Sequence, residues 1–290
     1  MAKAGFRPFH TLAVVGLGLI GGSFALDVKR LGLAKRILGY DQNPDHCSKA
    51  LELGLVAAAS PEFDDPLRTA ELVLLAVPVR SLPEVAAQLL PFWNPEAILT
   101  DTGSVKSPLL QVMRNPEFSG VRFVGGHPIA GGERFGPEAA QSELFRGKRF
   151  ILTPEAHTKA AVASRVRSLW AALGAEVLEM EAEAHDQIFA AVSHLPHLLA
   201  YASIDAIVRS DRPESLAHSG AGLKDFSRIS SSSPEMWADI FLDNQTLLLD
   251  RVRVFQETLD TLTTAITSGD RDRILQLLQN AKDSRDRWMG

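Results

Sequence analysis

Two hydrophobic textures divide the chain. From residue 11 to about residue 180, short apolar runs at 11–17, 36–40, 71–77, 97–101, 121–125, 149–153 and 175–180 alternate with amphipathic segments such as 81–93 and 158–173. Most of the runs lack a two-residue alternation, as strands covered on both faces do. Gly174 stands just past the second amphipathic segment, where a helix end favours left-handed backbone. The pattern predicts a doubly wound, mostly parallel α/β sheet over residues 1–182. Strand signals then vanish, and an all-helical domain is predicted over residues 183–290. Within it Phe241, Leu248, Val252, Phe255, Leu259, Leu262 and Ile266 recur at helical spacing. We read 234–267 as one helix, rather than two with a break. At roughly 1.5 Å per residue it would run about 50 Å, enough to outrun its own domain and pack its surplus stripe on a second copy of the chain.

Composition narrows the partners. With 290 residues, 46% hydrophobic and 22% charged, the chain is globular, of one or two domains. A net charge of −5 gives no broad basic field, so neither nucleic acid nor an anionic membrane surface is expected as a partner. One cysteine, Cys47, allows no intrachain disulfide and no thiolate zinc site. A cytoplasmic setting is therefore expected, with Cys47 an inert surface or half-buried thiol. The apolar segment 188–208 contains His194, Pro196, His197 and Asp205, which are costly in lipid, and no membrane span is predicted. The run 11–26, preceded by Lys3 and Arg7, imitates a secretion signal, but its glycines have a more specific reading.

Gly16-Leu17-Gly18-Leu19-Ile20-Gly21 fits G-x-G-x-x-G where a strand turns into a helix. The first glycine permits the tight turn, the second admits a pyrophosphate to the backbone, and the third lets helix and strand pack closely. The helix start adds free N–H groups and a positive dipole end. The second strand ends at Asp41, 20 residues beyond Gly21, where a carboxylate can accept both ribose hydroxyls. The same carboxylate repels a 2′-phosphate, and Gln42-Asn43-Pro44 brings no arginine to hold one. A Rossmann-like site that prefers NAD to NADP is expected. Its predicted contacts are Gly16, Gly18, Leu19, Ile20, Gly21, Asp41, Val77, Asp101 and Thr102.

Ligands of open α/β sheets sit at the carboxyl ends of the strands, and two such ends stand out. Asp101-Thr102-Gly103-Ser104-Val105-Lys106 follows one, and Gly125-Gly126-His127-Pro128-Ile129-Ala130-Gly131 follows the other. His127, enclosed by glycines and a proline, is a candidate base because an imidazole accepts protons at neutral pH; the alternative is a histidine satisfied within its loop. Farther on, Ser193-His194-Leu195-Pro196-His197 puts a proline inside a helical run and two histidines on one face. A structural kink, a metal pair and a substrate contact compete here. No third ligand lies at helical spacing, so no metal is predicted. Arg228, after Lys224-Asp225-Phe226-Ser227, reads equally as a surface charge and as a bidentate carboxylate clamp.

Taken jointly, these pieces resemble the prephenate and arogenate dehydrogenase family of tyrosine biosynthesis. The matching segments are GLGLIGGS at 16–23, DTGSVK at 101–106, GGHPIAG at 125–131, SHLPH at 193–197 and KDFSR at 224–228, followed by Trp237, all in family order. The resemblance implies NAD-dependent oxidative decarboxylation of prephenate to 4-hydroxyphenylpyruvate, with arogenate or dual cyclohexadienyl specificity as the alternative. It implies that His127 accepts the ring hydroxyl proton and that Ser104 bonds that hydroxyl and the imidazole. It places Arg228 on a substrate carboxylate, His197 and Trp237 beside the substrate, and His194 at the nicotinamide end. It sets Glu133, Lys224 and Asp225 around the entrance. A homodimer through the C-terminal helices is implied, with the site between the domains, and neither a regulatory domain nor a chorismate-mutase segment is expected. The rivals are a dehydrogenase of small β-hydroxyacids, an imino-acid reductase, and a non-catalytic NAD-sensing module. The first two give no reason for His127 and the SHLPH segment together, and a sensor needs only the phosphate cradle.

Overall fold

The computed structural model describes residues 6–132, 134–210 and 213–289. Its first part alternates strands and helices: β1 (Phe9–Val15), α1 (Leu19–Arg30), β2 (Ala34–Tyr40), α2 (Pro44–Glu52), β3 (Ala58–Ser60), β4 (Leu72–Leu75), α3 (Leu82–Leu89), β5 (Ile98–Asp101), α4 (Ser107–Met113), β6 (Arg122–Pro128), β7 (Arg149–Thr153), α5 (Ala160–Ala172) and β8 (Glu176–Glu179). The strands form one eight-stranded sheet in the order β3-β2-β1-β4-β5-β6-β7-β8. Every neighbouring pair is parallel except β6 and β7. The order reverses between β1 and β4, which opens a crevice at their carboxyl ends.

Both faces of the sheet are covered, and this is why its strands read as unbroken apolar runs. Leu12, Val14, Leu72 and Leu74 join one core with Phe24, Val28 and Trp170. Their neighbours Ala13, Val15, Val73 and Leu75 join the other, with Leu82, Leu89 and Leu109. Trp170 stacks on Phe150 at 4.0 Å between ring centres, anchoring α5 to the antiparallel edge. The strand β3 escapes prediction because it is three residues long at a sheet edge and built of Ala58, Ala59 and Ser60, not of the β-branched and aromatic residues that mark strands. Cys47 lies deeper than expected, 5% exposed, with its thiol 3.3 Å from the Asp41 carbonyl; burial raises its pKa and keeps it inert.

The helical part begins with α6 (Ala182–Phe189), which passes through one π-helical turn (Ala190–His194) into α7 (Leu195–Ser210). It continues with α8 (Ala221–Ser227), α9 (Pro234–Asp243), α10 (Gln245–Thr267) and α11 (Arg271–Met289). The single helix expected over 234–267 is therefore two helices. Asn244 leaves helical geometry at φ −110° and ψ 26°, and its side chain reaches across to the Asp186 carbonyl and to His194. Its own carbonyl accepts the Leu248 N–H at 2.9 Å and starts α10.

Residues Ala182–Arg209 form a helical run long and apolar enough, by length and composition, to cross a membrane. Here its polar side chains His185, Asp186 and His194 are buried, the first two against the sheet domain. From the other side α9 inserts Trp237 and Ile240 into the second core, and Arg80 after β4 meets Asp243 at 3.6 Å. Val192, Leu249, Val254, Leu259, Ile266 and Leu278 remain exposed along α7-proximal, α10 and α11 surfaces.

Candidate active site

The glycine turn has the shape a dinucleotide needs. Gly16 sits at φ +91°, and a Cβ there would lie 2.4 Å from the Ala76 carbonyl oxygen. A Cβ on Gly21 would lie 1.9 Å from the Gly16 carbonyl, so helix and turn touch only without one. A Cβ on Gly18 would meet nothing within 4 Å. That open face adjoins the start of α1, where Gly18 supplies no capping side chain and the first N–H groups remain for a phosphate. Val77 flanks the turn, and the Thr102 hydroxyl donates to the Leu75 carbonyl at 3.3 Å.

Asp41 closes the cradle at the end of β2. Its carboxylate accepts the Leu17 N–H at 2.8 Å and the Asn43 N–H at 3.0 Å, and it lies 3.2 Å from His46 Nδ1. Asp41→Asn keeps an acceptor for Leu17 but removes the charge that would oppose a 2′-phosphate. The kcat/KM preference for NAD over NADP is expected to fall by about tenfold or more, since like-charge juxtaposition costs several kcal/mol. An unchanged ratio in parallel assays with the two cofactors would contradict this role.

Asp101, expected among the cofactor contacts, has a different task. It is fully buried, and its carboxylate accepts the Gly103 N–H at 2.8 Å and the Gly126 N–H at 3.0 Å and is ion-paired with Lys106. Lys106 Nζ also donates to the Gly126 carbonyl at 2.6 Å. The buried pair thus ties the end of β5 to β6 and fixes the strand that carries His127.

Sequence reasoning missed the partner of His127. The Asp186 carboxylate accepts the N–H groups of Lys106 and Ser107, each at 2.8 Å, and the Ser107 hydroxyl at 2.5 Å, which pins it to the amino end of α4. It also lies 2.8 Å from His185 Nδ1. Burial opposes the charged carboxyl, but these hydrogen bonds outweigh it and hold its pKa below the ordinary value. A carboxylate can only accept, so His185 Nδ1 carries hydrogen and its Nε2 holds a lone pair. His127 Nδ1 lies 2.8 Å from that lone pair and must donate to it. His127 Nε2 is then left without a proton. Burial, with His185, Lys106 and His194 close by, lowers the His127 pKa well below the usual value and keeps the ring neutral. Phe189 packs against both imidazoles, 5.0 and 4.4 Å between ring centres. The available signal was His185 and Phe189 at i and i+4 on one helix face; nothing in the spacing joins them to His127, 58 residues earlier.

Ser104, expected to bond the imidazole, is half-buried at the same strand end and makes no hydrogen bond among the described residues. His127 bonds His185 instead. His194 is buried, and His197 stacks on Trp237 at 3.6 Å while its Nδ1 donates to the Ser193 carbonyl at 2.8 Å. Burial lowers the His197 pKa, the Ser193 hydrogen bond opposing it and the nearby Arg228 charge adding to it, so Arg228 lies within electrostatic reach of the cleft. In the single chain Arg228 is exposed just past α8, as are Lys224 and Asp225 on that helix. Glu133 lies outside the described residues.

The clustered histidines make folding sensitive to acid. His127, His185, His194 and His197 all have lowered pKa values, His194 to about 4 through burial. The unfolded chain takes up protons near pH 6.5, before the folded one does, so stability is level above that pH and declines below it. His194 alone contributes roughly 3 kcal/mol of loss between pH 6.5 and 4. Calorimetry should show Tm falling through this window; a constant Tm from pH 7 to about 4.5 would contradict the burial of these groups.

Comparison with known proteins matches both parts of the chain. Residues 24–179 match the prephenate dehydrogenase nucleotide-binding domain, and residues 181–280 match the prephenate dehydrogenase dimerization domain. The chain is similar to cyclohexadienyl dehydrogenase of Zymomonas mobilis, 35% identical over 280 residues that cover 96% of this chain and 95% of that protein. The crystal structure of prephenate dehydrogenase from A. aeolicus in complex with hydroxyphenyl propionate and NAD+ aligns with a TM-score of 0.90 at 36% identity, covering 97% of this chain and 99% of that one. The Synechocystis arogenate dehydrogenase structure aligns at 0.80 and 31%, covering 96% and 99%.

Proposed function

The chain belongs to the prephenate dehydrogenase family of NAD-dependent oxidoreductases, and on that premise we propose that it oxidatively decarboxylates prephenate to 4-hydroxyphenylpyruvate, with His127 as the base. The observation that carries this reading is the Asp186–His185–His127 chain of hydrogen bonds, which leaves a bare Nε2 on a neutral imidazole. When bound, NAD supplies the acceptor for the hydride that leaves the ring carbon bearing the hydroxyl. His127 Nε2 takes the hydroxyl proton as that hydride departs, and it returns the proton to the phenolate oxygen after the ring carboxylate has left as CO2. Electrons of the broken carbon–carboxylate bond enter the ring and make it aromatic. The protein therefore needs to supply orientation and one proton acceptor.

Arg228 serves as the clamp for a substrate carboxylate, His197 and Trp237 form the adjoining wall, Ser104 meets the ring hydroxyl, and Lys224 and Asp225 stand at the entrance. Prephenate is favoured over arogenate because the charged side chain that acts on His197 is the Arg228 guanidinium. A positive charge there suits the keto group of prephenate better than the ammonium group of arogenate, the two carboxylates being common to both. The exposed apolar side chains of α10 and α11 support a homodimer through these helices, and the lone buried cysteine suits a cytoplasmic setting.

Steady-state kinetics with prephenate and arogenate, each with NAD and NADP and with CO2 release followed, tests the proposal. Highest kcat/KM for prephenate with NAD is expected. Faster arogenate turnover would overturn the substrate assignment, and tight NAD binding without any turnover would favour the sensing module.

A further inference from the structure

Asp186 acts on a second histidine through its main chain. Asn244, 4% exposed, donates from Nδ2 to the Asp186 carbonyl at 2.9 Å, and the same Nδ2 lies 3.1 Å from His194 Nδ1. A carbonyl oxygen only accepts, so the amide nitrogen, not the amide oxygen, must face it. The second hydrogen of that nitrogen then points to His194 Nδ1, which must offer a lone pair. A neutral His194 therefore carries its proton on Nε2, the reverse of His127. His194 is 1% exposed, and its Nε2–H has no partner among the described residues. Its ring lies 6.2 Å from Trp237 between ring centres and within electrostatic reach of His127, His185 and His197, so it sits in the middle of the histidine cluster.

We infer that Asn244 is a positioning residue that locks His194 as an Nε2–H donor, presented to a lone-pair oxygen of the bound ligand while His127 presents an acceptor. That oxygen belongs either to the carboxamide of the nicotinamide or to the substrate. One residue, Asp186, thereby sets opposite proton placements at two histidines: its carboxylate works through His185 on His127, and its carbonyl through Asn244 on His194. The break between α9 and α10 follows from the same demand, because Asn244 must leave the helix to reach both partners. The inference rests on the proposed function for the identity of the ligand, whereas the placement of the proton does not.

Long-range proton–nitrogen NMR on the histidine-labelled wild-type protein, with His194→Gln and His127→Asn used for assignment, reads the two tautomers directly. Expected are Nε2–H for His194 and Nδ1–H for His127; an Nδ1–H tautomer at His194 would overturn the lock. Calorimetric NAD binding and substrate KM are then compared for His194→Leu, His194→Gln and Asn244→Ala. Leu lacks a donor and should weaken one ligand by about tenfold, the effect of leaving one buried hydrogen-bonding group unmade. Gln can offer an amide N–H near the original Nε2 and should recover most of that loss. Weaker NAD binding identifies the cofactor oxygen, and a raised substrate KM identifies the substrate oxygen. Equal behaviour of the Leu and Gln variants would overturn the donor role even where Asn244→Ala does not fold. Absence of turnover in the wild type would instead count against the proposed function, with the tautomer result still readable.

Discussion

Replacing His127 with Asn is expected to lower kcat by about 10²–10⁴, the usual worth of a positioned general base, while NAD affinity measured by calorimetry stays near wild type. The cradle at Gly16–Gly21 and Asp41 is built on other strand ends, so the substitution should not disturb it. Asparagine can still donate toward His185, which guards against collapse of the buried hydrogen-bond chain. The pH dependence separates a base from a merely structural imidazole. Only the unprotonated ring can accept the hydroxyl proton, and its pKa lies well below 6.5. Wild-type kcat/KM should therefore stay level from pH 8 down through 6.5 and fall only at lower pH. In the Asn variant that acid limb should vanish. An unchanged turnover number, or a limb that survives the substitution, would remove His127 from the mechanism.

Arg228→Ala is expected to raise substrate KM by about ten- to a hundredfold with kcat altered only a few-fold. The range follows from the roughly 1.5–3 kcal/mol of a hydrogen bond to a charged group. The lower half is the better expectation because Arg228 is exposed in the single chain and solvent screens its charge. Arg228→Lys should fall between, since it keeps the charge and loses the planar fork. Steady-state kinetics at saturating NAD measures this, and a wild-type KM in the Ala variant would assign Arg228 to the surface.

The sheet was legible because burial on both faces writes each strand as an apolar run, and seven of these runs correspond to β1, β2 and β4–β8. The helical stripe from Phe241 to Ile266 misled on continuity. Seven residues separate Phe241 from Leu248, about two helical turns, so the stripe keeps its phase across a break that one residue makes. Periodicity does not register that Asn244 has a tertiary reason to leave the helix. The phosphate cradle was legible for the opposite reason, because its demands on glycine and on Asp41 are local. His127 could be singled out from its flanking glycines and proline, but the residues that set its proton could not. His185 and Asp186 come from α6, and the His185 ring, held by Asp186, reaches His127 only once the helical domain has docked. Asp101 departs from expectation for a reason within the sheet domain, where it is enclosed with Lys106, Gly103 and Gly126, whereas the imidazole turns its Nδ1 to His185, which the docked helical domain supplies.

The most direct test of the central claim is a crystal structure of the protein with NAD and a non-reactive 4-hydroxyphenyl acid. The account predicts the ring hydroxyl oxygen within about 3.2 Å of His127 Nε2, with the opposite carboxylate on Arg228 and His127 Nδ1 still bonded to His185. A hydroxyl held by other side chains, with His127 Nε2 turned away from the ligand, would contradict it.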